Sequence, residues 1–181
     1  MVGVTEIYFT PTVDAYIAQW YPSSNFGIVP YLYICRYKQN GDSYRSYIEF
    51  DMDKIGSNSI PPGSVIHNAY LNLRIYRNEI PSGTTITLNA YRILQNWSET
   101  GATWNNQPIS GSNPDGSVTI TSGQSGWVKV KISNLVKEWF QGEVVNRGVM
   151  LKGEEGANSL VGFFAREYPN TSYWPQLEVI Y

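Results

Sequence analysis

The chain of 181 residues has the size of one domain and is long enough to bury a core without metal or disulfide help. Its net charge of −2, low charged fraction of 15% and lack of any basic block exclude the electrostatic footprint of a nucleic-acid binder. No apolar run approaches the ~20 residues of a membrane-spanning helix, and the single cysteine, Cys35, excludes an internal disulfide.

The charged share sits below the usual ~25%, and 14 tyrosines, six tryptophans, 16 glycines and ten prolines fill the gap. Rings suit pleated surfaces and Gly and Pro suit turns, so the composition points to β structure. The N-terminal stretch MVGVTEIYFTPTVDAY has neither a basic start nor an apolar run, so no secretory leader is read there. Within it, Val2 to Phe9 reads as an extended arm. Strands are expected next at Ala15 to Gln19, Leu32 to Tyr37 and Tyr44 to Phe50. Cys35 falls in the second of these and reads as a small buried apolar residue.

Val65 to Tyr76 alternates. Val65, His67, Ala69, Leu71, Leu73 and Ile75 take one phase; Asn68, Tyr70, Asn72, Arg74 and Tyr76 take the other. Thr85 to Leu94 sets Ile86, Leu88 and Ala90 on one side, and Trp127 to Ile132 sets Val128, Val130 and Ile132 against two outward lysines. One helix is expected, with Ser133-Asn134 as cap, Leu135, Val136, Trp139 and Phe140 on one face, and Gly142 at the end. Arg147 to Lys152, Leu160 to Arg166 and Gln176 to Tyr181 complete the strands. Pro, Asn and Gly clusters punctuate them, as at Pro22 to Asn25 and Asn113 to Gly116. Short strands at this spacing form one sandwich or barrel.

Several segments, taken in order, resemble the DNRLRE-domain family of β-sandwich modules, which includes alginate-type carbohydrate-binding modules. They are PTVDAYI (Pro11 to Ile17) with Asn25-Phe-Gly27, RSYIEFD (Arg45 to Asp51), NWSETGATWNNQP (Asn96 to Pro108), LVKEW (Leu135 to Trp139) with NRGVMLK (Asn146 to Lys152), and AREY (Ala165 to Tyr168) with PQLEV (Pro175 to Val179). Phe26 stands where the family usually has Tyr, and Ala165 where Ser is common. The resemblance implies an all-β, antiparallel, jelly-roll-like sandwich spanning residues 1–181, with one short helix.

Catalytic signals are sparse. The one histidine, His67, lies on the apolar phase of its strand and reads as structural. Asp51 and Asp53 read as a turn cap, and Glu154 and Glu155 as solvated loop residues. No nucleophile elbow, zinc spacing or phosphate loop occurs, so no enzymatic activity is expected. Asp14 and Asn25 are candidate oxygen ligands for a structural calcium ion.

Aromatic residues carry the strongest signal. Trp20, Tyr21 and Trp174 are expected to be exposed, with Tyr168, Tyr173 and Arg166 beside the last; Trp104 and Trp139 are assigned to the core. Exposed rings stack on sugars, but they also seal contacts between subunits. The preferred reading is a self-assembling structural subunit of an extracellular filament, sheath or spore-surface layer, in which Val2, Val4, Ile7 and Phe9 add a strand to a neighbouring copy. Pairing of this arm within its own chain is the competing possibility. The alternative function is a carbohydrate-binding module using Trp20, Tyr21, Arg166, Tyr168 and Trp174. Arg36, Arg45, Arg74, Arg77 and Arg166 would supply a basic groove for an acidic polymer.

Overall fold

A computed structural model describes residues 3–53 and 59–181. Eleven strands follow in order: β1 (Glu6–Phe9), β2 (Val13–Ala18), β3 (Tyr31–Arg36), β4 (Ser43–Glu49), β5 (Asn68–Asn78), β6 (Thr85–Arg92), β7 (Gly116–Thr121), β8 (Trp127–Lys131), β9 (Val149–Lys152), β10 (Val161–Phe164) and β11 (Gln176–Ile180). One helix, α1 (Ser133–Gln141), lies between β8 and β9. The strands form a curled sheet in the order β1-β11-β5-β10-β3-β4-β9-β6-β7, with β8 on β5 and β2 on β4. Every strand pair is antiparallel. The fold is thus an all-β sandwich in which β3 joins a half containing β1, β11, β5, β8 and β10 to a half containing β2, β4, β9, β6 and β7.

The bend has a specific origin. Ile34 pairs with Val161 of β10, whereas Cys35 pairs with Tyr44 of β4. Between the two partners Cys35 takes φ 76°, a left-handed conformation rare for a residue other than glycine. Its thiol is fully buried, and that burial pushes its pKa up to about 12, which suits a packing group rather than a nucleophile.

Alternation closes the main core. Leu71, Leu73, Val128, Val130, Leu177 and Val179 from one half meet Ile48, Leu88, Val149 and Leu151 from the other. The helix adds Leu135, Val136 and Trp139, and Gly142 ends it at φ 74° with its N–H on the Glu138 and Trp139 carbonyls. Ser133 does not cap the helix. Its hydroxyl accepts from the Ala69 N–H of β5 at 2.9 Å and ties the helix to the sheet.

The inward phase before β5 shifts by one residue. Ile66 is buried while Val65 and His67 are exposed, because β5 begins only at Asn68 and the preceding loop need not alternate. Asn72, on the outward phase, is nonetheless buried by its bond to Glu178. Asp51 does cap its turn, accepting the Asp53 N–H. Glu155 is not free in solvent: it forms a bidentate pair with Arg45.

The N-terminal arm folds back on its own chain. Glu6, Ile7, Tyr8 and Phe9 pair with Ile180, Val179, Glu178 and Leu177, and Ile7 and Phe9 enter the core. These two residues are therefore not surface groups for a neighbour; alternation puts them where β11 already supplies a partner. Val4 is exposed, and Val2 lies outside the described residues.

A second, smaller core sits on the outer face of the second half. Ile17, Tyr47, Ile93 and Met150 alternate with the residues of the main core and are covered by loop 94–110. Trp97 packs there and donates its indole N–H to the Arg147 carbonyl at 2.9 Å. Trp104 is half-buried rather than a core residue, because its ring lies under the Arg45 guanidinium, 4.7 Å away, at the margin of this cluster. The loop's own hollow of about 330 Å³ is lined by groups that hold the loop together, including Trp97, Ser98 and Asn106.

Candidate functional site

The outer face of the first half is not covered in this way. β5 turns Tyr70, Arg74 and Tyr76 outward because Leu71, Leu73 and Ile75 turn in. Tyr31 of β3 stacks on Tyr76 with centroids 3.9 Å apart and planes 13° from parallel. Phe164 of β10 lies 5.6 Å from Tyr76 and 6.1 Å from Tyr31. The chain then turns back, and Asn170 fixes that turn by accepting from the Ser172 N–H and hydroxyl. Tyr168 and Tyr173 are thereby stacked at 5.7 Å with planes 6° apart, both against Phe164. Trp174 anchors the segment through its indole N–H on the Tyr168 carbonyl, 2.8 Å away.

Arg74 lays its guanidinium over Tyr173, 3.7 Å from the ring centroid, and Trp127 of β8 is its cross-strand neighbour. Tyr76 is 43% and Trp127 39% exposed, high values for large apolar rings. Gly162 makes the close strand packing possible. A Cβ there would sit 2.9 Å from the Tyr33 ring and 3.3 Å from Arg77 Cβ. Burial, and secondarily Tyr76, raises the Tyr31 phenol above its ordinary pKa, so it stays a neutral hydrogen-bonding group. Beside this patch, Glu178 accepts from Asn72 at 2.8 Å and from Lys129 at 2.7 Å. Burial opposes ionisation of Glu178, but these two donors prevail and hold its carboxyl below the ordinary value.

The residues expected to bind a ligand divide between two places. Trp20 and Tyr21 are 52% and 54% exposed and line a groove of about 270 Å³ with Tyr37, Lys38 and Asp42. Tyr168 and Trp174 belong to the ring patch on β3, β5 and β10. Ring contacts bridge the two places, from Tyr21 through Phe26, Tyr16 and Tyr33 to Tyr31, but Tyr16 in the middle is buried. Trp174 is half-buried with its N–H already used, so its exposure was overestimated. Tyr31, Tyr76 and Trp127 are not among the ligand groups expected from the sequence, whereas Arg74 is among the expected arginines. The outward phase of β5 was the available signal, and only the return of loop 165–175 beside it makes a site.

The expected arginines do not line one groove. Arg36 bonds Asn158 and Asn40, Arg45 pairs with Glu155, and Arg77 pairs with Glu79. Arg166 points away from the rings: its Nη1 meets Glu99 at 2.9 Å and Glu167 at 3.1 Å. Among the described residues, only Arg74 of the five lies over the patch without a carboxylate partner.

Asp14 and Asn25 both meet Glu99, by different groups. The Asn25 amide donates to the Glu99 and Ala102 carbonyls, both at 2.8 Å, and its Oδ1 accepts the Gly27 N–H. It clamps loop 94–110, with its oxygen engaged by the Gly27 N–H at 3.1 Å. Gly27 allows the close approach, since a Cβ there would fall 2.0 Å from the Glu99 carbonyl oxygen. Asp14 is buried beside Glu99 and Glu167, and burial raises its carboxyl well above the usual range.

Comparison with curated proteins gives no match to this chain. A family model does match, over residues 5–181, and it describes carbohydrate-binding modules; it bears out the expected kind of module but not the DNRLRE name. With nearly the whole sandwich inside that match, the chain belongs to carbohydrate-binding module family 96.

Proposed function

We propose that this domain binds a polysaccharide, outside the cytoplasm and without transforming it, on the patch formed by Tyr31, Tyr76, Trp127, Tyr168, Tyr173 and Arg74. The observation that carries the reading is the stacked pair Tyr31–Tyr76 beside the pair Tyr168–Tyr173, with Arg74 over the latter. Sugar rings present apolar C–H faces and a rim of hydroxyls. Flat exposed rings receive the faces, and a guanidinium and phenols receive the rim. An exposed apolar patch on a folded domain marks such an interaction site. Strand addition by the N-terminal arm was the route offered for assembly, and residues 6–9 are already paired within the chain.

Affinity electrophoresis and calorimetry against neutral glucans, mannans, xylans and polyuronates test the proposal. Binding to at least one of them is expected, weakened about tenfold by Tyr76→Ala, equivalent to ~1.4 kcal/mol, with melting temperature little changed. Binding to none, or binding indifferent to Tyr76→Ala, overturns it.

A further inference from the structure

We infer that Asp14, Glu99 and Glu167 form a calcium site that locks loop 94–110 and the segment after β10 onto β2. The proposal is independent of the ring patch. Three carboxylates converge and, among the described residues, only Arg166 pairs with them as a cation, so with all three ionised two negative charges would stand uncompensated. Arg166 serves one side of the cluster. Its backbone N–H donates to Asp14 Oδ2 at 2.9 Å, and its Nη1 donates to Glu99 Oε1 and Glu167 Oε1. Glu99 Oε1 also accepts the Asp14 N–H at 3.1 Å.

On the other side, Asp14 Oδ1 and Glu167 Oε2 are buried with no hydrogen-bond partner. Asp14 itself is 1% exposed. Unpaired carboxylate oxygens are too costly to bury together without a cation or a shared proton between them.

Ligand chemistry points to calcium, and the geometry is compatible with it. Calcium holds oxygens at 2.3–2.6 Å, so two oxygens on one shell stand at most about 5 Å apart. One oxygen from each of the three carboxylates lies within 4.8 Å of the others. Magnesium demands a near-ideal octahedron of ~2.1 Å bonds and parts reluctantly with its waters, so a buried cage of protein carboxylates suits it less well. Carbonyls and waters would complete the calcium shell. The ligands come from three separated stretches of chain, β2, loop 94–110 and loop 165–175. An ion here therefore adds a direct tie between parts that the second core, Asn25 and Arg166 already bring together.

Equilibrium dialysis of the full chain, stripped with chelator and returned to millimolar calcium at neutral pH, should give one bound calcium per chain, with magnesium a poor competitor. At a hundredfold excess over Kd, the melting temperature should rise by about 5–10 °C. Glu167→Gln should bind calcium at least tenfold more weakly yet remain folded by circular dichroism, because its amide can donate to Asp14 Oδ1. Glu99→Gln, whose amide oxygen still accepts from Arg166, gives a second measure. Three results would overturn the proposal: no calcium on the wild-type chain; binding by both variants equal to that of the wild type; or stability indifferent to calcium that falls as pH rises above the ordinary carboxylate range, the mark of a proton shared by Asp14 and Glu167.

Discussion

The two outer faces of this sandwich both carry rings and an arginine laid across one of them, yet they come to opposite ends. On the half built from β2, β4, β9 and β6, Tyr47 is fully buried beneath loop 94–110, and Arg45 over Trp104 is locked by Glu155 and Gln107. On the half built from β5, β8, β10 and β3, Tyr76 and Trp127 stay exposed and Arg74 over Tyr173 has no carboxylate partner among the described residues. The same chemistry is core on one side and surface on the other. What separates them is a cover, and the bare face is where a sugar polymer can play the part that the loop plays opposite.

The largest expected effect lies on the covered face. Tyr47→Ala empties the centre of the second core and should cost about 3–5 kcal/mol, as for other large buried side chains. Chemical denaturation would read it as a lower midpoint with little change in slope. A loss under ~1 kcal/mol would mean that the loop is loosely held and the two faces differ less than drawn here. Sugar affinity of the surviving folded fraction should match that of the native chain.

The arginines give a matched pair. Arg45→Ala strips Glu155 of a bidentate partner and Gln107 of a donor in a partly buried setting, and should lower stability by about 2 kcal/mol. Arg74→Ala removes a group that only a ring contacts, and should shift stability by less than ~0.5 kcal/mol while weakening polysaccharide binding several-fold. Thermal melts and calorimetry on both variants would sharpen the contrast; exchanged results would collapse it.

Alternation made much of the fold legible. The inward phases of β5, β6 and β8 and the helix face with its terminal Gly142 follow directly from residue order. β7 escaped notice because GSVTIT puts only Ile120 into the core and pairs as an edge with β6. The left-handed corner at Cys35 also escaped, since no glycine marks it. The site was half legible. Tyr168 could be named from its loop, but its neighbours Tyr31, Tyr76 and Arg74 come from strands more than 85 residues earlier in the chain, and only packing unites them. Asp14 could be named from the sequence as a candidate ligand for the proposed ion. Its true neighbours Glu99 and Glu167 were not, because one sits in the cover loop and the other beyond β10.

The smallest effect concerns Glu178, a buried carboxylate on the bare face that already has its donors. Its folded pKa lies below the ordinary value because Asn72 and Lys129 together outweigh burial. Its contribution is therefore complete above the unfolded carboxylate range near ~4.3 and is lost as pH falls through the lower folded value. Glu178→Gln should cost about 1 kcal/mol at neutral pH, since Lys129 is half exposed and its pairing is screened by solvent. The difference between native and variant should shrink as pH drops below ~4, and added salt should reduce it at neutral pH. Urea melts across that range decide the matter. A difference that instead grew on acidification would mean that Glu178 is held protonated, and the bare face would then carry a buried acid as unsettled as the one at Asp14.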